Sequence, residues 1–214
     1  MVCRIVVLIS GSGSNLQALI DKLDRQYGEI VAVLSNRPDA YGLERARRAG
    51  INTLVLDHKD YADRESFERA MIARLDEVAP DLLILAGFMR ILTTEFVSHF
   101  QGRLLNIHPS LLPKYKGLHT HKRALEAGDS EHGATVHFVT EELDGGPLVV
   151  QARVPVIPGD TPESLAERVQ HQEHVLYPLT MNLFASGRLR LIDGRACLDN
   201  KPLGASGIEP ERID

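Results

Sequence analysis

The chain has 214 residues, a formal net charge of −5 and a 43% hydrophobic composition. That length supports a sizeable core without staples, and the acidic balance argues against a polyanion-binding surface, so no nucleic-acid partner is expected. No apolar run approaches the ~20 residues of a membrane helix, and Cys3 and Cys197, far apart in sequence, fit neither a disulfide framework nor a zinc site.

The N-terminal run is too short for a signal peptide, so a cytoplasmic protein with no membrane contact is expected. Ile5 to Ile9 is continuously apolar, the pattern of a parallel strand buried on both faces. Ser10 to Asn15 is a Gly/Ser turn, after which Leu16, Leu19, Ile20 and Leu23 recur at helical spacing. Ile30 to Leu34 reads as a second strand, Leu43 to Ala49 as a helix stopped by Gly50, and Thr53 to Leu56 as a third strand. A charged amphipathic segment runs from about Arg64 to Val78. Leu82 to Ala86 is a fourth strand, Thr93 to Phe100 a short helix and Arg103 to Ile107 a fifth strand. Beyond Pro113 the register changes. Ala134 to Val139 alternates, Asp144-Gly145-Gly146-Pro147 turns, and Leu148 to Val156 alternates again, an antiparallel hairpin. Thr161 caps a long helix to about Ala185, with Pro162 in its first turn and Ser164 giving less than a full capping box. The tail after Gly187 is polar and Gly-rich, with little to bury. The pattern predicts one α/β domain over residues 1–214: a Rossmann-like, doubly wound, mostly parallel sheet with an antiparallel C-terminal hairpin.

Two stretches carry chemistry. Gly11-Ser12-Gly13-Ser14-Asn15 links a strand to a helix, where glycines admit an anion to free N–H groups at the positive end of the helix dipole. A dinucleotide fingerprint needs Gly or Ala where Leu16 stands, and there is no Gly-Lys-Ser/Thr of a Walker loop. One phosphate remains, or a plain turn capped by Ser14 or Asn15. The second stretch is Leu104-Leu105-Asn106-Ile107-His108-Pro109. Strand alternation puts Asn106 and His108 on one face, and Pro109 ends the strand, at the edge where open α/β sheets bind ligands. They either terminate the strand, or supply an oxyanion donor and a general acid or base. Asp144 is either a turn residue before glycine, or a carboxylate that favours the charged imidazole and holds a water. His119 and His121 share a face if extended, and His132 and His137 flank a strand. None shows the spacing of a metal site, and no metal is expected. Lys114, Lys116, Lys122 and Arg123 read as a solvated face.

Four segments in order carry a resemblance: Ile9 to Leu16, Leu85 to Leu92, Asn106 to Pro113, and His137 to Pro147. Through them the chain resembles the phosphoribosylglycinamide formyltransferases, folate-dependent enzymes of purine biosynthesis. The resemblance implies the formyltransferase fold and formyl transfer from 10-formyltetrahydrofolate to the amine of glycinamide ribonucleotide, without a metal, in a monomer or homodimer. It implies that Asn106, His108 and Asp144 are the catalytic trio, that Gly13, Ser14 and Asn15 hold the phosphate, and that Gln170 and Glu173 bind phosphate and ribose. It further implies that Met89, Arg90, Ile91 and Leu92 line the folate pocket, largely through backbone contacts. Thr140, Glu141, Glu142 and Leu143 would close that pocket with Asp144, and Arg64 would meet the folate's acidic tail. Lys116 stands where the family more often has proline or arginine. Rival readings are a tRNA formyltransferase, which carries a further C-terminal domain, a formylfolate hydrolase, which carries an N-terminal one, and a folate- or nucleotide-binding module without turnover.

Overall fold

The N-terminal apolar run becomes β1 (Cys3–Ile9), with Ile5 to Ile9 fully buried. The computed structural model describes residues 1–208. After β1 follow α1 (Ser14–Lys22), β2 (Gly28–Ser35), α2 (Gly42–Arg48), β3 (Asn52–Val55), α3 (Arg64–Val78), β4 (Leu82–Leu85), α4 (Thr94–His99) and β5 (Leu104–His108). Then come α5 (Thr120–Glu126), β6 (Glu131–Phe138), β7 (Leu148–Pro155), α6 (Pro162–Ala185), β8 (Leu189–Ile192), β9 (Arg195–Leu198) and β10 (Lys201–Pro202).

The main sheet has the order β3-β2-β1-β4-β5-β6-β7. Its first five strands are parallel, and β6 and β7 are antiparallel additions on one side. Both faces are covered, as an all-apolar parallel strand requires. Leu16 and Leu19 of α1, Leu43 of α2 and Tyr177 of α6 pack on one face; Phe67 and Met71 of α3 and Phe96 of α4 pack on the other. The order reverses between β1 and β4, so the loops leaving their carboxyl ends part and open a crevice.

Helix α6 is the main brace. Thr161 and Ser164 form a complete reciprocal capping box, because the Ser164 hydroxyl reaches the Thr161 N–H at 3.0 Å in place of the glutamate usually expected. Inside the helix Pro178 has no N–H to give, and the carbonyl of His174 it leaves free accepts instead from Lys22 Nζ at 2.8 Å. Tyr177, fully buried, points its hydroxyl at the carbonyls of Leu85 and Leu105, at 2.8 and 3.0 Å, tying the end of β4 to β5.

Two sequence expectations are corrected here. The tail expected to have little to bury forms a second, antiparallel sheet of β8, β9 and β10, and its Leu189, Ala196, Cys197 and Ile208 are buried. Asp193-Gly194 and Asp199-Asn200 both take positive φ, as two-residue hairpin turns need. Residues 120–126 are helical, with His119 left-handed before them, so His119 and His121 are not on an extended segment. His132 and His137 lie within β6 and are buried.

Candidate active site

Cross-strand register builds the centre of the site. Leu105, Ile107, Val136 and Phe138 face the core, which turns Asn106 and His108 of β5 and Thr135 and His137 of β6 to the opposite side. Asn106 pairs directly with His137, and His108 with Thr135. Thr135 then accepts from Leu112 N at 3.1 Å and donates to the Ser110 carbonyl at 2.7 Å, setting the course of the chain beyond Pro109.

Asp144, on the β6–β7 loop, meets this face. Its Oδ2 lies 3.5 Å from His108 Nδ1, and both side chains are only 8% exposed. The carboxylate also accepts from Gly117 N at 2.9 Å. His108 Nε2 is 2.8 Å from the Tyr115 carbonyl, which can only accept, so that nitrogen carries a proton. The Asp144 carboxylate faces the other nitrogen, Nδ1, at a separation too long for a strong hydrogen bond, which leaves Nδ1 open to a ligand.

His137 is the residue that sequence reasoning left without a role. Burial holds its imidazole below the ordinary histidine range, and therefore neutral. Nδ1 donates to the Phe138 carbonyl at 2.8 Å, so Nε2 is an acceptor. Asn106 Nδ2 donates to it at 3.2 Å. This fixes the amide: its nitrogen faces His137, and its second N–H is free to serve an oxygen in the cleft.

The expected phosphate loop opens α1. Gly13, at φ 71°, is the N-cap, and no side chain caps the helix, so neither Ser14 nor Asn15 takes that part. A Cβ on Gly13 would lie 2.6 Å from the Cα of Gly42, so the loop also needs glycine for packing. Gln170 Nε2 donates to Ser14 Oγ at 3.0 Å, and Asn15 Nδ2 donates to Glu173 Oε2 at 2.8 Å. Burial raises the Glu173 carboxyl, partly offset by that Asn15 bond. Asn15 Oδ1 is buried with no protein partner, an acceptor suited to a hydroxyl or amine. A cavity of about 390 Å³ spans this loop, Arg37, Ala86, Gly87, Met89 and Gln170, within the usual range for small-molecule sites. A larger hollow of about 590 Å³ beside Gly145–Leu148 and the C-terminal sheet has Arg195 as its sole charged lining residue.

The segment from Met89 to Leu92 lies between two anchors. Met89 N donates to Ser10 Oγ at 2.9 Å, which leaves backbone recognition to Arg90, Ile91 and Leu92. Thr93 donates through N and Oγ1 to Glu68 Oε2, at 2.8 and 2.6 Å. Arg90 sits over the Phe67 ring at 6.0 Å. Arg64, the first residue of α3, is exposed one turn before Glu68 and lies 3.6 Å from Glu65. Met89, Ile91, Leu118 and Leu143 expose large apolar side chains on the loops around the trio, as an apolar ligand surface would. Thr140 is half-buried, while Glu141 and Glu142 are exposed. Of the basic residues read as a solvated face, Lys114, Lys122 and Arg123 are exposed and Lys116 is half-buried, and on that face Lys114 pairs with Asp129, Lys116 with Glu142, Lys122 with Glu126, and Arg123 with the Lys116 carbonyl. Among the described residues no three His, Cys, Asp or Glu side chains converge as a metal ligand set.

The model of the family described as formyl transferase matches residues 3–181. A phosphoribosylglycinamide formyltransferase of Escherichia coli (strain K12) is 58% identical over 206 residues, 95% of this chain and 97% of its own. The human trifunctional purine biosynthetic protein adenosine-3 is 48% identical over 197 residues, 91% of this chain and 20% of its own. The structure of a phosphoribosylglycinamide formyltransferase from Coxiella burnetii, in complex with CHES, superposes with a TM-score of 0.91 at 52% identity, covering 97% of this chain and 98% of its own.

Proposed function

The chain belongs to the formyl transferase family, and from that premise we propose that it moves the formyl group of 10-formyltetrahydrofolate to the amine of glycinamide ribonucleotide, in purine biosynthesis. The observation that carries the reading is the meeting of His108 with Asp144 beside the Asn106–His137 pair, in a chain that also offers an uncapped helix N-terminus with a ligand-sized cavity.

The residues divide the work. Gly13, Ser14 and Asn15 offer N–H groups to the phosphate, and Gln170 and Glu173 face the ribose. The amine attacks the formyl carbon, and the carbonyl electron pair moves onto oxygen. His108 Nδ1–H and the free N–H of Asn106 donate to that oxygen where charge develops, a term worth ~10²–10³ in rate for one donor. Asp144 faces His108 across the site and holds a water that takes the proton from the attacking nitrogen. The same water returns a proton to the folate nitrogen as its bond to carbon breaks. Arg90, Ile91, Leu92 and the loop Thr140–Leu143 flank the formyl donor, with Met89 giving an apolar side chain and Arg64 a cation for an acidic tail.

The test is tetrahydrofolate release from 10-formyltetrahydrofolate in the presence of a chelator. Release that requires glycinamide ribonucleotide supports the reading. Release without the ribonucleotide marks a hydrolase, and no release marks a binding module. The same reading takes the chain as one domain, cytoplasmic, with Cys3 and Cys197 as free thiols. It is a monomer or homodimer, which light scattering decides. Residues 209–214 of that expected domain lie outside the described residues.

A further inference from the structure

Three consecutive residues reach the catalytic constellation from one strap. The Tyr115 carbonyl accepts from His108 Nε2 at 2.8 Å. The Gly117 N–H donates to Asp144 Oδ2 at 2.9 Å. Between them, Lys116 Nζ lies 2.6 Å from Glu142 Oε1, two residues ahead of Asp144. The strap is rigid from behind. Arg123 donates to the Lys116 carbonyl at 2.7 Å and lies over the Tyr115 ring, and the Tyr115 hydroxyl donates to Asp129 at 2.8 Å. Tyr115 and Gly117 both take positive φ, 57° and 79°, so the backbone doubles back on either side of Lys116.

The loop carrying Asp144 has little else to hold it. Its inner turn closes through Gly145 N to the Glu142 carbonyl at 3.1 Å, and Ser98 Oγ touches Glu141 at a long 3.5 Å. Asp144 itself stands at φ 49°, the left-handed turn conformation that aspartate tolerates. We propose that Lys116 is a positioning residue for formyl transfer: its ion pair with Glu142 fastens the Asp144 loop to the strap that holds His108, and so sets the carboxylate opposite Nδ1. The proposal rests on the formyl-transfer reading. Because the Lys116 and Glu142 side chains are 35% and 70% exposed, the pair acts on loop placement and contributes little to global stability. It is also screened by salt.

The experiment compares the native chain with Lys116→Gln, Glu142→Gln and the exchanged pair Lys116→Glu with Glu142→Lys. The readouts are kcat and KM at low and ~1 M salt, and amide hydrogen exchange at Gly117 and Gly145 without substrate. Each single variant is expected to lose about two- to five-fold in kcat at low salt, with the ribonucleotide KM unchanged and faster exchange at both amides. The exchanged pair regains most of the loss, and ~1 M salt removes the gap between native and single variants. Single variants with native kcat and native exchange overturn the proposal, as does an exchanged pair no better than the singles. A native chain without formyl transfer overturns the functional reading and the catalytic role of Lys116 with it. In that case the exchange rates still decide whether the pair fastens the loop.

Discussion

If His137 acts on the reaction only by orienting Asn106, the two residues must show one shared loss. Asn106→Ala removes the N–H aimed at the developing oxyanion, and losing one such donor costs ~10²–10³ in kcat, about 2.7–4 kcal/mol of barrier. His137→Leu keeps the donor but removes the acceptor that Nδ2 faces at 3.2 Å. An amide without that partner presents either end to the cleft, which sets a loss of at least about two-fold. The full value for Asn106 is the upper limit. The leucine also leaves the Phe138 carbonyl without the donor it has at 2.8 Å, a stability cost of about 1–3 kcal/mol. Stability must therefore be checked by denaturation before kinetics are compared. The assay is a double-mutant cycle on kcat, with KM for both substrates. The expected result is a full loss in Asn106→Ala and a smaller one in His137→Leu. In the double variant the histidine substitution adds nothing. Independent losses that multiply, or a His137→Leu enzyme with native kcat, refute the orienting role. Since burial keeps His137 neutral, its substitution also leaves the acid limb of the kcat–pH profile where it was.

Other consequences are as direct. Gly13→Ala forces a Cβ to within 2.6 Å of the Gly42 backbone at φ 71°, so it destabilises by more than ~1 kcal/mol; it also weakens ribonucleotide binding, read by urea melts and calorimetry. Ile208→Ala removes a buried side chain whose N–H reaches the Val149 carbonyl at 2.6 Å, at a cost of about 2–4 kcal/mol in a urea melt. A loss under ~0.5 kcal/mol would return the tail to the status of an ornament. Glu68→Gln tests a buried carboxylate that burial raises, with hydrogen bonds from Thr93 opposing. A carboxyl raised on folding binds its proton more tightly in the folded chain, so its ionisation lowers stability as pH climbs from the ordinary carboxylate range through the raised value. Glutamine still accepts from Thr93 and cannot ionise. The variant therefore gains on the native chain as pH rises, by no more than about 1 kcal/mol, and a variant that loses ground to the native chain between acidic and neutral melts contradicts the assignment.

The legible parts of this molecule are those whose signal is local. Buried parallel strands announce themselves as unbroken apolar runs, and Ile5 to Ile9 and Leu82 to Leu85 are buried throughout. The tail failed for lack of length. Its strands have two to four residues, too few for a period, although Ile192-Asp193-Gly194-Arg195 carried the Asp-Gly signal of a tight hairpin. The helix at residues 120–126 was missed because its seven residues carry many charged and few apolar side chains, while in the fold Lys122 pairs with Glu126 and Arg123 donates to the Lys116 carbonyl.

The site divides along the same line. Asn106 and His108 lie two residues apart on one strand, so the sequence alone places them on one face. Their partners come from β6 and the loop after it, where placement depends on a register no local pattern states. That register is nevertheless determined. Leu105 stands opposite Phe138 and Ile107 opposite Val136, all four in the core. A slip of one residue would turn Val136 and Phe138 out of this core and put the polar Thr135 and His137 in their stead. The pairing that keeps those apolar side chains in the core necessarily sets His137 across from Asn106 and Thr135 across from His108. The face that carries Asn106 and His108 is thus positioned by residues that point into the core on the other side. A substitution such as Val136→Thr, which weakens the preference for this register, is expected to disturb the Asn106 amide before it disturbs any ligand contact.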